Sequence, residues 1–214
     1  MKKTLIILFL GIYTAIFSQK KAVQKIETNA KEINIFTNGL DDFIIENSTT
    51  NFIEITLFAE NPNMQHIFFD TKNKVIDIEF KLNKIQNNET IFRKFITERL
   101  ERAHAVIKIP EGKNITVFGE NINIESKSYQ GNLTVFIEKG ILKLNDVQAS
   151  VDVKLYAGNV YANVKKSEIK VTSNIGKIKV DDVFYEKKYQ KIGSKKEKNF
   201  TINSIKANIF LTTQ

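Results

Sequence analysis

The sequence predicts an all-β fold: a single-stranded parallel β-solenoid of about 18-residue coils, two nine-residue units to each, with one short helix as cap or insertion. Three observations carry that expectation. The composition favours strands, with 16 Phe and abundant Ile set against 2 Pro, 9 Gly and no Trp. Small residues recur every nine positions between 131 and 183, each followed by two alternating aliphatics. The flanking segments also alternate apolar with polar side chains. With 214 residues and 42% apolar content, the chain suffices for one domain with a sizeable core.

Residues 1–19 stand apart. Lys2 and Lys3 precede the apolar run Thr4 to Phe17, which ends at Ser18 and Gln19 before further lysines. A basic start, an apolar centre and a small residue at its end describe a secretory signal peptide, cleaved after Ser18 or Gln19. The run is shorter than the roughly 18–20 residues that span a bilayer comfortably. No second long apolar run follows, so residues 20–214 are expected to form a single domain with no transmembrane segment. That places the mature protein in the periplasm, on the cell surface or outside the cell. Losing Lys2 and Lys3 lowers the net charge from +8 to +6, too modest to imply a nucleic-acid partner. The absence of Cys excludes a disulfide framework, thiolate chemistry and a lipid anchor on Cys. With only His66 and His104 besides, no metal or other cofactor is expected.

Strands are then read in order. Ile53, Ile55, Leu57 and Ala59 alternate with polar residues except at Phe58, and Ile76, Ile78, Phe80 and Leu82 alternate cleanly; the polar stretch around Asn61-Pro62-Asn63 joins them. Residues 89–105 are the helix candidate. Ile91, Phe92, Phe95, Ile96, Leu100 and Ala103 fall on one face, opposite Arg93, Lys94, Glu101 and Arg102. Such a helix would cover an open sheet end, with His104 at its terminus. Val106, Ile107 and Ile109 lead into the turn Pro110-Glu111-Gly112-Lys113, and Ile115, Val117, Ile122 and Ile124 follow.

The regular core spans 131–183. Gly131, Gly140, Ala149, Gly158, Ser167 and Gly176 mark the corners. Two residues after each stand Leu133, Leu142, Val151, Val160, Ile169 and Ile178; two further on stand Val135, Leu144, Val153, Ala162, Val171 and Val180. Stacked coils would set Leu133, Val151 and Ile169 in one row and Leu142, Val160 and Ile178 in the facing row. Calcium-binding β-rolls also use nonapeptides, but they need Gly-Gly and a fixed Asp in each turn, and these turns have neither. After the core, Ile202, Ile205, Ile209 and Leu211 suggest closing strands. The stretch 186–198, with six Lys against two Glu, reads as a solvated, mobile loop.

The run Ile107-Lys-Ile-Pro-Glu-Gly-Lys-Asn-Ile-Thr-Val117, with the repeated Gly-x-(Ile/Leu/Val)-x-(Val/Leu) after it, resembles a family of exported bacterial proteins. These are the adhesin-like β-solenoid domains of envelope proteins, including the head GIN domains of Bacteroidetes. The resemblance covers roughly residues 25–214; the Asn-rich, aromatic flanks and residues 89–105 depart from its simple pattern. It implies an exported parallel β-solenoid of adhesin-like or unknown function, with no catalytic residue to carry over.

The expected function is therefore a non-enzymatic binding or structural module of the envelope. Its partner would be an anionic glycan or an envelope protein. On one outer face the repeat stacks Lys143, Tyr161 and Lys179, a stripe able to hold a ligand by charge and ring contact; on the other it stacks Thr134, Asp152 and Lys170. Lys187, Lys188, Tyr189, Lys195 and Lys196 in the basic loop are further candidates. An alternative is a polysaccharide-active enzyme using Asp146 and Asp182, which share a phase two coils apart. Against it, the adjacent Asp181 and Asp182 would point opposite ways on a strand. Another alternative is an envelope-stress or regulatory accessory protein.

Overall fold

Strict alternation of apolar and polar side chains builds this molecule, because on a strand it turns one side inward and the other to solvent. The computed structural model describes residues 20–59, 61–82, 103–193 and 198–214. In the N-terminal part lie β1 (Lys21–Glu27), β2 (Glu32–Phe36), β3 (Asp42–Ser48), β4 (Phe52–Phe58), β5 (Ile67–Lys72) and β6 (Val75–Phe80). Then come β7 (His104–Pro110), β8 (Asn114–Asn121), β9 (Asn123–Ser126), β10 (Leu133–Leu144) and β11 (Val151–Asn163). The remainder are β12 (Ser167–Ser173), β13 (Ile178–Val180), β14 (Val183–Tyr185), β15 (Lys188–Lys191) and β16 (Lys198–Thr212). All of them join one sheet, whose inward side chains form a single buried cluster.

All twelve alternating aliphatics of the 131–183 repeat are buried. β8, β10 and β11 pair in parallel with Ile115, Leu133 and Val151 in register, so the chain does step by eighteen residues over this stretch. Within β10 and β11 the backbone takes a positive φ at Gly140 and Gly158, +147° and +137°. A Cβ at Gly158 would lie 1.9 Å from the Gly140 carbonyl oxygen, so only glycine lets the rungs approach this closely. Asparagine side chains tie rungs together outside the core: Asn132 donates to Asn114 at 2.9 Å and Asn208 to Asn159 at 3.1 Å.

The single-stranded parallel solenoid of 18-residue coils is nevertheless incorrect. The sheet is mixed and wraps nearly closed around its core in the manner of a barrel. β1 runs antiparallel to β4, β4 to β7, β5 to β6, β12 to β15, and β13 to β14. The eighteen-residue step also ends at β11. Its next neighbour is β16, which separates it from β12. The predicted row is therefore Leu133, Val151, Phe200 and then Ile169, with Phe200 supplied by the end of the chain. The physical reason lies in β16 itself. Phe200 and Ile202 are followed nine residues later by Ile209 and Leu211, the same inward pattern as β11, so β16 fits between β11 and β12. It is a central strand rather than a closing one, and Ile205, one of the residues that suggested closing strands, is 41% exposed.

The helix expected over 89–105 falls largely on residues 83–102, outside the described residues, as does the signal peptide at 1–19. Its predicted end is corrected: Ala103 is buried coil, and His104 and Ala105 already belong to β7. Among the described residues the only helical turn is the 3-10 segment Met64–His66, and no helix is long and apolar enough to cross a membrane. The basic stretch is not wholly a loop, since Lys188–Lys191 forms β15; Lys195 and Lys196 lie outside the described residues.

Candidate functional site

The outward residues of β10, β11, β16 and β13 form a continuous surface row. Inward Leu142 and Leu144, Val160 and Ala162, Ile209 and Leu211, and Ile178 and Val180 anchor the rungs. The residue between each pair must then face out. Register places Lys143 beside Tyr161, Tyr161 beside Phe210, and Phe210 beside Lys179. The predicted stripe is thus a row of four, its missing member supplied by the strand that inserts. Tyr161 and Phe210 stack with centroids 5.1 Å apart and planes within 10°. They line an open cleft of about 530 Å³, together with Asn145, Asn163, Asp181, Asp182 and Thr212.

The acidic end of the cleft is a tight hairpin. Asp181 and Asp182 are the two residues between β13 and β14, and both have positive φ, as the favoured two-residue hairpin turn demands. They therefore do not point to opposite faces of a strand. Asp182 pairs with Lys179 at 2.7 Å. Asp181 accepts hydrogen bonds from the Thr213 hydroxyl and from its N–H, the latter at 2.8 Å. The Thr213 hydroxyl, and then its amide, hold the Asp181 carboxyl below the usual carboxylate range. Lys179 also lies 5.7 Å from the Phe184 ring centroid. At the other end Lys143 stands beside Glu125 across the strands, while the Glu125 carboxylate accepts from the Asn145 amide at 2.8 Å.

The remaining sequence candidates divide clearly. Tyr189 is half-buried against the core and meets Tyr185 edge to face at 4.7 Å, so it is a packing residue. Lys187 and Lys188 are exposed. Asp146 takes a hydrogen bond from the Gln148 amide, so both it and Asp182 have local partners. The row Thr134, Asp152, Lys170 is broken by Thr201 between Asp152 and Lys170. Both histidines serve local structure: His66 Nδ1 accepts from the Asn63 N–H, and the His104 ring stacks on Phe58 at 4.3 Å. Among the described residues no group of His, Asp and Glu gathers in the number that a metal ion needs.

A second aromatic ladder was not anticipated. Phe36, Phe118 and Phe136 stack at 5.1 and 5.4 Å, and Lys154 caps the row 5.2 Å from the Phe136 centroid. The eighteen-residue spacing of Phe118, Phe136 and Lys154 was a visible signal for most of it. Phe36 comes from β2 and carried none.

No family model matches the chain, and no curated protein matches it in sequence. Its structure is similar to that of a candidate cell adhesion protein from Clostridium sporogenes, with a TM-score of 0.62 at 15% identity. That match covers 92% of this chain and 100% of the other. A candidate adhesin from Bacteroides fragilis matches at a TM-score of 0.35 and 12% identity, over 91% of this chain and 98% of the other. The first likeness defines a shared fold; the second is too distant to carry an argument.

Proposed function

We propose that this chain is an exported, non-enzymatic binding module of the cell envelope, adhesin-like in role, which holds a glycan in the Lys143–Tyr161–Phe210–Lys179 cleft. One observation carries the reading. Two stacked, solvent-facing rings sit between two lysines in a cleft rimmed by amide, hydroxyl and carboxylate groups. A sugar is amphipathic in the same way: its C–H face packs on aromatic carbon while its hydroxyls need donors and acceptors around the rim. The basic and apolar start at residues 1–19 supports export. The resemblance of the 107–117 run supports a place among envelope domains of the head GIN type, and the adhesion role suggested for the Clostridium sporogenes protein points the same way. Lys187, Lys188, Lys195 and Lys196 add positive charge in the segment between β14 and β16.

A glycan array probed with the purified protein tests this. Binding to a subset of oligosaccharides is expected, falling about tenfold or more in the double variant Tyr161→Ala, Phe210→Ala at unchanged melting temperature. A silent array, or a double variant that binds as the parent does, overturns the reading.

A further inference from the structure

The cleft is electrically balanced although the chain as a whole carries +8. Lys143 and Lys179 are its cations, and Asp181 and Asp182 its anions. Lys179 is already engaged by Asp182 at 2.7 Å, and Asp181 is held by Thr213. Lys143 faces Glu125 on the next strand. A ligand with a negative charge on every sugar would therefore bring some of those charges against Asp181, Asp182 and Glu125. Like charges brought together oppose binding, and the cations at that end, Lys179 beside Asp182 and Lys191 near Asp181, already face those carboxylates. An uncharged ligand meets no such penalty. It finds apolar contact on Tyr161 and Phe210, and acceptors in the exposed Asp182 carboxylate, whose side chain is 93% accessible.

We propose that the cleft selects an uncharged oligosaccharide, its apolar face on Tyr161 and Phe210 and its hydroxyls directed to Lys143, Asn145 and Asp182, and that it discriminates against polyanions. This rests on the glycan reading above and adds the ligand's charge class.

Titration calorimetry at low and high salt, with neutral tetrasaccharides of glucose, mannose and N-acetylglucosamine and with polygalacturonate, decides the matter. The parent protein should bind at least one neutral tetrasaccharide with an affinity that salt changes less than about twofold, because no net charge is screened. Tyr161→Ala should weaken that binding about tenfold or more. Asp182→Lys makes the cleft basic and tests charge without touching the rings. Lys is tolerated at the matching turn position of the β5–β6 hairpin, where Lys74 has a φ of +65°. This variant should gain salt-sensitive polygalacturonate binding. Polygalacturonate bound by the parent and lost in Tyr161→Ala, with no neutral sugar bound, overturns the charge class while leaving a glycan cleft. Failure to bind any of the four probes overturns the neutral-oligosaccharide assignment; the array result then decides separately whether another glycan is bound.

Discussion

Tyr129 carries its hydroxyl into the interior, 3.0 Å from the Lys113 carbonyl oxygen and 3.2 Å from that of Pro110. Only 3% of the residue is exposed. Burial, opposed only partly by the hydrogen bond to Lys113, pushes its phenol well above the ordinary tyrosine range. The neutral form is therefore the one that fits the fold. Its contribution is complete below the unfolded value of about 10 and declines as pH climbs beyond it. Tyr129→Phe should cost about 1 kcal/mol at pH 7. The gap between parent and variant, measured by urea titration, should narrow from pH 10 upward; a gap independent of pH would mean that the hydroxyl titrates freely. Inward and outward positions were legible at this scale. Each of the twelve repeat aliphatics is inside because alternation is a local property. Asp181 and Asp182 were misread because a two-residue turn and a strand are indistinguishable until the partner of β13 is known.

Strand identities were also largely readable, since Ile53 to Leu57, Ile76 to Phe80 and Ile115 to Val117 alternate as they should. Neighbour identities were not. Thr172 bonds Asn203, 31 residues away, and Asn208 bonds Asn159, 49 away; no local pattern encodes such distances. Phe210 could not be placed in the cleft for that reason. The central position of β16 has a measurable result. A protein ending before Lys198 loses the strand between β11 and β12, uncovering inward Val151, Val153, Ile169 and Val171. It should show no cooperative thermal transition by circular dichroism. A truncated protein that melts sharply, some degrees lower, would instead describe a dispensable closing strand. The β4 rung is held differently: Glu54 pairs with Lys25 at 2.8 Å and with Lys108 at 3.3 Å across both neighbours. Lys25 in particular, with Lys108, holds its carboxyl below the ordinary value.

Over the whole molecule, protection should follow position in the sheet. Among the described residues, β8, β10, β11 and β16 are paired on both sides, whereas β1, β5, β14 and β15 each have a single partner. Amide hydrogen exchange should therefore be slowest in the first group and fastest at these rims. Equal protection in β15 and β11 would contradict the strand order. The rims are also chemically guarded: β1 carries Lys21 and Lys25, and β15 carries Lys188 and Lys191, charges that discourage edge-to-edge pairing. Lysine enrichment in 186–198 was read from the sequence as a solvated loop, and its place at a sheet margin was hidden for the same reason as the rest, that pairing is non-local. The location of β16 has one more outcome, in time rather than space. Synthesis runs from the N-terminus, so the strand that completes the middle of the sheet is the last to emerge. Until residues 198–212 leave the ribosome, inward Val151, Val153, Ile169 and Val171 lack the strand that covers them, so these rungs can close only late in synthesis.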